Sequence, residues 1–356
     1  MSEEKSKRSN VTIFDVAEEA GVSYSTVSRV VNNFQFVKPE TRERVQTAMD
    51  KLGYVANVKA RSLAGGRSQM LGLLLYDFES SYQVEIVRGI DAEVSALDYD
   101  LMLYTTHHRR RKESTLVAKL TQGLVDGLLI VLPSNLEAYL EDLDGQNFPY
   151  VLIDHAGNGI SSNTVKAKNW QGSFEAVTHL ISLGHQRIGF VQGVMTVDSA
   201  RERLAGYEAA LIQNSLPVDM ALIQPGDFDW QSGYKAASNL LTLAEPPTAV
   251  LAASDVCAFG VIEGFLAQGV RVPEDVSVMG FDDIPEAVTV RPSLTTMRQD
   301  LRQMGRIATR MLVGCIDNAD QPNEQVELAM ELIERESTCT PTGSIFWKSS
   351  NGVSNP

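Results

Sequence analysis

The feature that most limits the possible folds of this chain is an alternation of short apolar runs with helical segments, and it occurs twice. In the first half the runs are LGLLLYD, YDLMLYTT, DGLLIVL and PYVLIDH, and in the second half they are RIGFVQG, TAVLAAS and VSVMGFDD. Continuous apolar runs of this length suit strands buried on both faces of a parallel sheet. Helical patterns lie between them, as from Tyr82 to Leu97. Two series of such units predict an α/β region of two doubly wound subdomains, each with a parallel sheet.

The overall composition limits the classes of protein to which the chain can belong. Its 356 residues suit two or three domains, and no run of eighteen apolar residues exists that would predict a membrane span. The opening MSEEKSKRSN lacks an apolar signal segment, so we expect a cytoplasmic protein associated with the nucleoid. Cys257, Cys315 and Cys339 are far apart and predict free thiols in a reducing compartment. We expect no metal, no cofactor and no membrane partner.

Charge is distributed unevenly along the chain. Residues 1–66 hold ten Lys/Arg and eight Asp/Glu, whereas the whole chain has a formal net charge of −14. A mildly basic head therefore precedes a strongly acidic body. This asymmetry favours a nucleic-acid-binding module joined to a module that does not bind nucleic acid.

The head begins with two short helical patterns separated by a glycine. Thr12 and Asp15 are spaced as in a capping box, and the apolar residues after Thr12 recur at helical spacing until Gly21. Ser23 can cap a second helix, in which Val27, Val30 and Val31 form the inward stripe. The outward face of that helix then carries Tyr24, Ser25, Ser28 and Arg29.

A third helix is predicted from Pro39 to Leu52, because proline is well tolerated in a first helical turn. Two short helices joined by a glycine-containing turn are typical of a helix-turn-helix motif, whose second helix reads base edges in the major groove. A small helical bundle with a merely solvated polar face is the alternative interpretation of the same pattern.

The segments VTIFDVAEEAGVSYSTVSRVVNN, VKPETRERVQTAMDKLGYVAN and ARSLAGGRS together resemble the LacI-type family of bacterial transcriptional regulators. The resemblance is dense over about the first 68 residues and looser to about Thr340. It implies a repressor that binds a palindromic operator on double-stranded DNA as a homodimer. It also implies control by a small-molecule effector in a cleft between two subdomains, as in periplasmic binding proteins.

The resemblance also implies roles for residues of the head. Those matching base-contacting positions are Tyr24, Ser25 and Arg29, and those matching phosphate-contacting positions are Thr12, Thr26 and Asn32. Lys38 stands where many members carry serine, so we expect it to contact phosphate instead. In the hinge, Leu63 matches the leucine that enters the minor groove, with Ala60 beneath it. The alternative interpretation of this segment is a plain linker.

Effector-binding residues are expected at the carboxyl ends of the strands, because ligands of such sheets bind there. The family's effector-binding arginine is matched here to Arg201, its stacking aromatic to Phe228 and its hydroxyl-accepting aspartate to Asp282. The full predicted set is Asp77, Phe78, Tyr82, Asp154, Trp170, Arg201, Phe228, Asp255 and Asp282.

Carboxylates, a guanidinium and aromatic faces suit a sugar, although an arginine also binds the anion of a sugar phosphate, and a purine effector is a further alternative. Asp77, Asp255 or Asp283 could instead only cap a helix. Two departures from the family pattern prevent transfer of effector identity from any one relative. Ser254 replaces a common asparagine, and Lys168 replaces a common aspartate.

The predicted boundaries follow from these patterns. The helix-turn-helix domain covers residues 10–57, the hinge 58–67, the effector-binding and dimerisation domain 68–341, and a tail expected to be disordered 342–356. Within the large domain, the N-subdomain comprises about 68–168 and 298–326 and the C-subdomain about 169–297 and 327–341. The basic run HHRRRK from His107 favours a solvated loop, or alternatively attracts an acidic effector.

Two other classes of function compete with a DNA-binding regulator. A periplasmic sugar-binding protein would need a signal peptide and no helix-turn-helix. An enzyme would need a catalytic group, and the sequence has no GxSxG, phosphate loop, metal triad or HExxH pattern. We therefore expect no catalytic residues and a regulator controlled by its effector, either released from DNA by a sugar or dependent on a corepressor.

Overall fold

The computed structural model describes residues 11–31, 34, 36–54, 67–106, 110–131, 137–155, 162–318 and 320–342. Residues up to Met70, together with Ala118–Asp126, form one compact unit, and Leu71–Val117 with the residues from Gly127 onward form a second. The hinge residues Ala60 and Leu63, Asn32, the start of the HHRRRK run and the tail from residue 343 lie outside the described residues. Within the described ranges no helix combines the length and hydropathy needed to cross a bilayer.

The first unit contains the three predicted helices of the head: α1 (Ile13–Ala20), α2 (Tyr24–Val31) and α3 (Pro39–Leu52). The Asp15 carboxylate accepts hydrogen bonds from the backbone N–H and the hydroxyl of Thr12, which fixes the start of α1. Gly21 ends α1 with a φ of 62°, a left-handed conformation that glycine adopts without strain. The predicted cap at the start of α2 is confirmed, because the Ser23 hydroxyl accepts from the Thr26 N–H.

A small apolar core holds these helices together. Val16, Val27 and Val45, one from each helix, are completely buried. The Arg44 guanidinium donates to the carbonyl oxygens of Ala20 and Gly21, at 2.6 and 3.2 Å, and so ties α3 to the end of α1. The inward stripe of valines places Tyr24, Ser25 and Arg29 on the exposed side of α2, where they can contact a partner.

In the second unit, the first sheet is built mainly from the apolar runs of the first half. All of its strand pairs described in register are parallel, as predicted, and β3 and β4 are buried along their whole length. Its strands in spatial order are β11 (Gln325–Leu328), β5 (Asn163–Ala167), β4 (Tyr150–Ile153), β3 (Gly127–Val131), β1 (Met70–Leu75) and β2 (Asp100–Thr105). The accompanying helices are α4 (Ser81–Ala96), α5 (Arg110–Leu120), α6 (Glu137–Gly145) and α11 (Leu301–Asp317).

The second sheet repeats this plan with the later runs. Its strands in spatial order are β12 (Glu331–Ile333), β10 (Thr295–Arg298), β9 (Ser277–Asp282), β8 (Ala249–Ala252), β6 (Ile188–Val191) and β7 (Ile223–Gln224). Its helices are α7 (Asn169–Ser182), α8 (Asp198–Gln213), α9 (Trp230–Leu241) and α10 (Asp255–Leu266). Apolar clusters on its two faces pack against α7 and α8 on one side and α9 and α10 on the other.

The chain crosses between the two sheets where the sequence predicted it. After β10 it returns as α11 to the first sheet, continues as β11 in that sheet, and ends as β12, which pairs antiparallel with β10 in the second. Strand β11 extends to Leu328, two residues beyond the predicted end of the N-subdomain at residue 326. The other domain boundaries stay predictions.

Close packing of α4 on α11 depends on glycine. A Cβ at Gly89 would overlap the backbone carbonyl oxygen of Arg302, and one at Gly305 would overlap that of Ile86. We expect Gly89→Ala to lower the free energy of unfolding by about 2–3 kcal/mol, because overpacking against backbone forces the helices apart. Chemical denaturation followed by circular dichroism measures this loss.

Gly145→Ala is the matched control for this prediction. Gly145 is also helical, but a Cβ there would have no atom within 4 Å. This variant should change stability by less than about 1 kcal/mol, in the stabilising direction, because alanine favours helices over glycine. Equal losses for the two variants would contradict the close-packing argument.

Candidate functional site

The exposed face of α2 carries the side chains that the sequence predicted to read bases. Tyr24, Ser25 and Arg29 are exposed, while Val27 and Val30 on the opposite face are buried. The Ser25 hydroxyl lies 2.8 Å from the Ser23 hydroxyl, and a hydroxyl in one such bond keeps capacity for a second. The face can therefore offer a phenol, a hydroxyl and a guanidinium to base edges.

Phe14 joins this face, and the sequence analysis missed it. Its ring stacks on Tyr24 with centroids 5.5 Å apart, and the two side chains are 65% and 54% exposed. An exposed aromatic pair is costly to leave in water and presents a flat apolar surface beside the polar row. The signal was the helical spacing of α1. Phe14 lies off the buried stripe that Val16 and Ala17 define, so this large aromatic side chain must point outward.

The predicted phosphate contacts differ in their local environment. The Thr12 hydroxyl is already donating to Asp15, at 2.8 Å, so a phosphate contact would require it to leave that carboxylate. The Thr26 hydroxyl is 2.8 Å from Ser23. Lys38 is exposed at the start of α3 and its side chain does not cap the helix, which leaves the ammonium available for phosphate. These assignments stay predictions.

A second polar site lies in the cleft at the carboxyl ends of the two sheets. Burial raises the pKa of Tyr82 well above its usual range, and the charges of Asp154 and Asp282 raise it further, opposed by Arg203. Tyr82 and Asp154 belong to the first sheet's side, and Asp282 and Arg203 belong to the second. The Ser199 hydroxyl, at the start of α8, also approaches Asp154 Oδ2 at 3.5 Å. The two halves therefore meet at one cluster of polar groups.

Arg203 is the central cation of this cluster. It is 3% exposed; its Nε donates to Asn169 Oδ1 at 2.9 Å, and its Nη1 donates to the Ala253 carbonyl oxygen. Nη1 also lies 3.4 Å from Asp282 Oδ1. The guanidinium carbon is 4.0 Å from the centroid of the Phe281 ring, a cation–π contact. A desolvated, oriented guanidinium of this kind is a strong hydrogen-bond donor.

Arg201, the arginine chosen from the sequence, has a different environment. Its side chain is 49% exposed, pairs with Asp198 and donates to the Met195 carbonyl oxygen at 3.0 Å. The two arginines are two residues apart in α8, so they lie on different sides of the helix. Arg203 shares the buried stripe with Gly206, Tyr207 and Ala210, a helical spacing that could have identified it as the buried arginine.

Asp282 occupies the end of β9 with a φ of 120°, and the next residue, Asp283, has a φ of 57°. Positive φ is strained for residues other than glycine and is characteristic of functional sites. Gln299 Nε2 donates to Asp282 Oδ1 at 2.6 Å. Burial raises the pKa of Asp282 to about 7, against the opposing influence of Arg203 and Gln299.

This pKa predicts a pH-dependent stability. Because the folded value is above the unfolded one of 3.8, the carboxyl destabilises the fold progressively as pH rises from about 4 to about 7. Below about pH 4 the carboxyl does not affect the free energy of unfolding, and above about pH 7 its destabilising effect is complete. We expect the stability of Asp282→Asn relative to the unsubstituted protein to rise by about 2–4 kcal/mol from pH 5 to pH 8, on top of the constant cost of leaving Arg203 without its carboxylate partner. Denaturant titrations of both proteins across this range measure the difference.

A difference that stays constant with pH would contradict this prediction. Glu286→Gln is a suitable control, because it removes a carboxylate at the exposed edge of the same half, where Glu286 accepts from the Ser81 hydroxyl. Its stability difference from the unsubstituted protein should stay nearly flat over the same pH range.

Three buried polar atoms of the cleft make no hydrogen bond of normal geometry among the described residues: Tyr82 Oη, Asp154 Oδ1 and Gln299 Oε1. The Tyr82 hydroxyl does interact with the Asp154 carboxylate. An unsatisfied buried polar group costs about 1–3 kcal/mol. A ligand carrying several hydroxyls would satisfy them, which marks this side of the cleft as a binding site. Gln299 and Ser199 were missed by the sequence analysis because neither follows an apolar run of the sheets.

Of the other predicted effector residues, Phe228 lies beside this cluster. The Phe228 ring packs against Gly193 and lies 5.6 Å from the Arg203 guanidinium carbon. Asp77 is buried after β1, and its Oδ1 accepts from the Glu79 N–H at 3.0 Å, which orders the following loop. Phe78 is 44% exposed. A ligand stacked on Phe228 would thus lie beside the arginine.

Asp255 and Trp170 are placed less favourably for a ligand. Asp255 is completely buried; its two oxygens accept from the Thr296 hydroxyl at 2.6 Å and the Ile284 N–H at 2.9 Å. Burial raises the pKa of Asp255 well above its usual range. Trp170 is 45% exposed at the start of α7, stacked on Phe174. Internal hydrogen bonds give Asp255 a structural role, and no described contact links Trp170 to the cluster.

Comparisons with known proteins match both parts of the chain. Residues 12–57 match the model of bacterial regulatory proteins of the lacI family, and residues 177–338 match that of a periplasmic binding protein-like domain. Catabolite control protein A of Priestia megaterium is 35% identical over 333 residues, which cover 92% of this chain and 99% of that protein.

Solved structures agree with these matches. The lac repressor dimer bound to operator and the anti-inducer ONPF has a TM-score of 0.82 at 31% identity and covers 93% of this chain and 100% of that one. A complex of the transcriptional regulator CelR with cellobiose has a TM-score of 0.70 at 33% identity and covers 92% of this chain and 99% of that one.

Proposed function

The chain belongs to the LacI family of bacterial regulatory proteins, and from this we propose that a neutral sugar held in its cleft controls binding of a homodimer to a palindromic operator. It is a DNA-binding transcriptional repressor and not an enzyme. The dimer is supported by the operator-bound lac repressor dimer, and the sugar by the cellobiose complex of CelR. We place its action at the nucleoid, where operator DNA lies.

The observation that carries the sugar proposal is the arrangement around Arg203. Its guanidinium and the Asp282 carboxylate are fixed side by side, and the buried Tyr82 hydroxyl and Asp154 carboxylate belong to the same cluster. Adjacent sugar hydroxyls can donate to a carboxylate and accept from a guanidinium at the same time. The half-buried Phe228 ring supplies an apolar surface for ring C–H groups.

The balance of charge argues against an anionic effector. Asp154 and Asp282 lie beside the buried Arg203 guanidinium, which already pairs with Asp282. A phosphate would therefore meet more negative than positive charge, and a buried unpaired charge is costly. A sugar phosphate is the weaker alternative for this reason. A purine acting as corepressor stays an alternative, because a neutral base would not be repelled.

Contacts between the two halves suggest how the effector acts. Lys166 of β5 pairs with Glu202 of α8 at 2.7 Å, and the Ser81 hydroxyl donates to Glu286 at 2.6 Å. A ligand that bridges Asp154 and Arg203 would favour the arrangement of the halves that brings those residues together. Coupling of this kind changes affinity at a second site by about 1–3 kcal/mol. The dimer would pass that change to the DNA-reading helices.

The test is selection of operators from a random duplex library, first with the ligand-free protein and then with added effectors. We expect enrichment of a palindrome, followed by reduced retention of that duplex with a neutral sugar. If only a purine increases retention of the duplex, the effector is a purine corepressor and not a sugar. Absence of a palindrome under every condition would overturn the dimeric-operator proposal.

A further inference from the structure

A separate cavity lies in the first sheet's half, at the amino ends of β4 and β5. Its volume is about 460 Å³, within the range of small-molecule sites. Tyr150 and Asn163, which begin these strands, form part of its lining, together with residues from the end of α6 and the end of α11. The cleft lies at the opposite ends of the same strands, where β4 leads into Asp154.

This cavity is too far from the cleft to be a part of it. Tyr150 and Asp154 are four residues apart along an extended strand, and each residue advances about 3.3 Å, which gives roughly 13 Å. Buried residues of β4 fill the intervening space. One monosaccharide could not contact both sites, so a ligand here would be an additional one.

The floor of the cavity is fixed by hydrogen bonds. The Tyr150 hydroxyl donates to Asp144 Oδ1 at 2.9 Å. Asn163 donates to Asn323 Oδ1 at 3.1 Å and accepts from the Glu324 N–H at 2.8 Å. These bonds join the start of β4 to the end of α6 and the start of β5 to the segment after α11, so the polar groups of the lining are held in place before any ligand binds. Such preorganisation lowers the entropic cost of binding.

Ser162 gives an independent indication that the cavity receives a ligand. Its side chain is 3% exposed and contributes to the lining beside Tyr150. Its hydroxyl interacts with the Tyr150 phenol but makes no hydrogen bond of normal geometry among the described residues. A buried hydroxyl with a poorly formed hydrogen bond is costly, and a ligand hydroxyl would reduce that cost.

The chemistry of the lining defines the class of ligand. No lysine, arginine or histidine is among the described residues of the lining, whereas two carboxylates are, so an anion would be repelled. Amides both donate and accept, which suits ligand hydroxyls. Phe148 and Tyr150 add aromatic surface. The side chains that supply the carboxylates and amides of the rim are Asp144, Asn147, Asn318, Asp320, Gln321 and Asn323.

The structure assigns to this cavity a second small-molecule site, distinct from the cleft, for a neutral polyhydroxylated molecule of monosaccharide or polyol size. Its described lining has its own polar groups, a buried hydroxyl without a hydrogen bond of normal geometry, and no basic group. It does not depend on the identity of the cleft effector.

Cys315 provides a direct reporter, because its thiol lines the cavity and accepts from Asn163 Nδ2 at 3.2 Å. Cys257 is completely buried, and Cys339→Ser removes the third, partly exposed thiol. The rate at which iodoacetamide alkylates Cys315 is measured at pH 8.5 in the full-length protein, with D-glucose, D-ribose or myo-inositol at 1–50 mM. Burial raises the pKa of Cys315, so the alkaline pH keeps the reaction measurable.

We expect at least one neutral probe to slow alkylation threefold or more, with saturation, and glucose 6-phosphate and gluconate to have no effect. The protection should persist in Arg203→Ala, or in Arg203→Lys if the alanine variant does not fold, because the cleft is not involved. It should be lost in the rim variant Asn318→Ala/Asp320→Ala. No protection by any neutral probe overturns the proposal, as does protection that depends on Arg203 and not on the rim. Failure of the cleft proposal alone would leave the protection intact.

Discussion

Arg203→Ala is expected to weaken effector binding by about a hundredfold or more while operator binding by the ligand-free protein survives. Removing one member of a buried, hydrogen-bonded charge pair costs about 2–5 kcal/mol, and here it also removes the donor that faces the ligand. The measurement is the effector concentration that half-releases a labelled operator, together with calorimetric titration of the free protein.

The variant also loses fold stability, because Asp282 would keep a buried charge without Arg203 at 3.4 Å. Arg203→Lys serves as the second variant. It keeps the positive charge but lacks the planar guanidinium, which donates to both Asn169 and the Ala253 carbonyl oxygen. Effector affinity should therefore still fall at least tenfold. A folded Arg203→Lys protein with unchanged effector affinity would remove Arg203 from the site.

Arg201→Ala is the matched control. Arg201 has the same charge and lies on the same helix, but it is half exposed and pairs with Asp198 near solvent. Exposed ion pairs contribute about 0–1 kcal/mol, so effector affinity should change less than threefold. The reverse ranking of the two variants would restore the assignment made from the sequence.

The sequence predicted the elements of this fold well because the signals are local. Thr12, Gly21, Ser23 and Pro39 each fix a helix end through contacts within a few residues, and every apolar run that the sequence offered is a strand. The division of the segment near residues 325–335 between the two sheets was not predictable to the residue. Strands β11 and β12 are short and half-buried, so the apolar pattern does not specify which sheet each one joins.

The cleft was predictable in part. The rule that ligands bind beyond the carboxyl ends of strands selected Asp154 and Asp282, and the structure places both near the Tyr82 hydroxyl. The choice between Arg201 and Arg203 depends on which face of α8 is buried. The buried residues of that helix show that this is the face of Arg203. The role of Asp255 stays a prediction: a carboxylate after a strand can satisfy neighbouring N–H and hydroxyl groups instead of a ligand, and residue type does not distinguish these uses.

Arg29→Ala should reduce specific operator binding by about 2–6 kcal/mol. A good base contact by an arginine contributes about 1–3 kcal/mol, and a homodimer on a palindrome loses two of them. Arg29 lies on the exposed face of α2, and the buried Val27 and Val30 beside it keep the helix in place after the substitution. Fluorescence anisotropy on the selected operator at fixed salt measures the loss, with a scrambled duplex measured in parallel.

Lys51→Ala removes the same charge from the same unit and is therefore the control. Lys51 ends α3 and pairs with Glu19 at 2.7 Å, with its side chain 65% exposed. A base-reading role for Arg29 requires its loss to lower binding to the operator far more than binding to the scrambled duplex, while Lys51→Ala changes each less than threefold. A phosphate-contacting role would instead lower both duplexes equally and reduce the salt dependence. That equal loss would leave specificity with Tyr24 and Ser25, whose side chains are the other predicted base readers of α2.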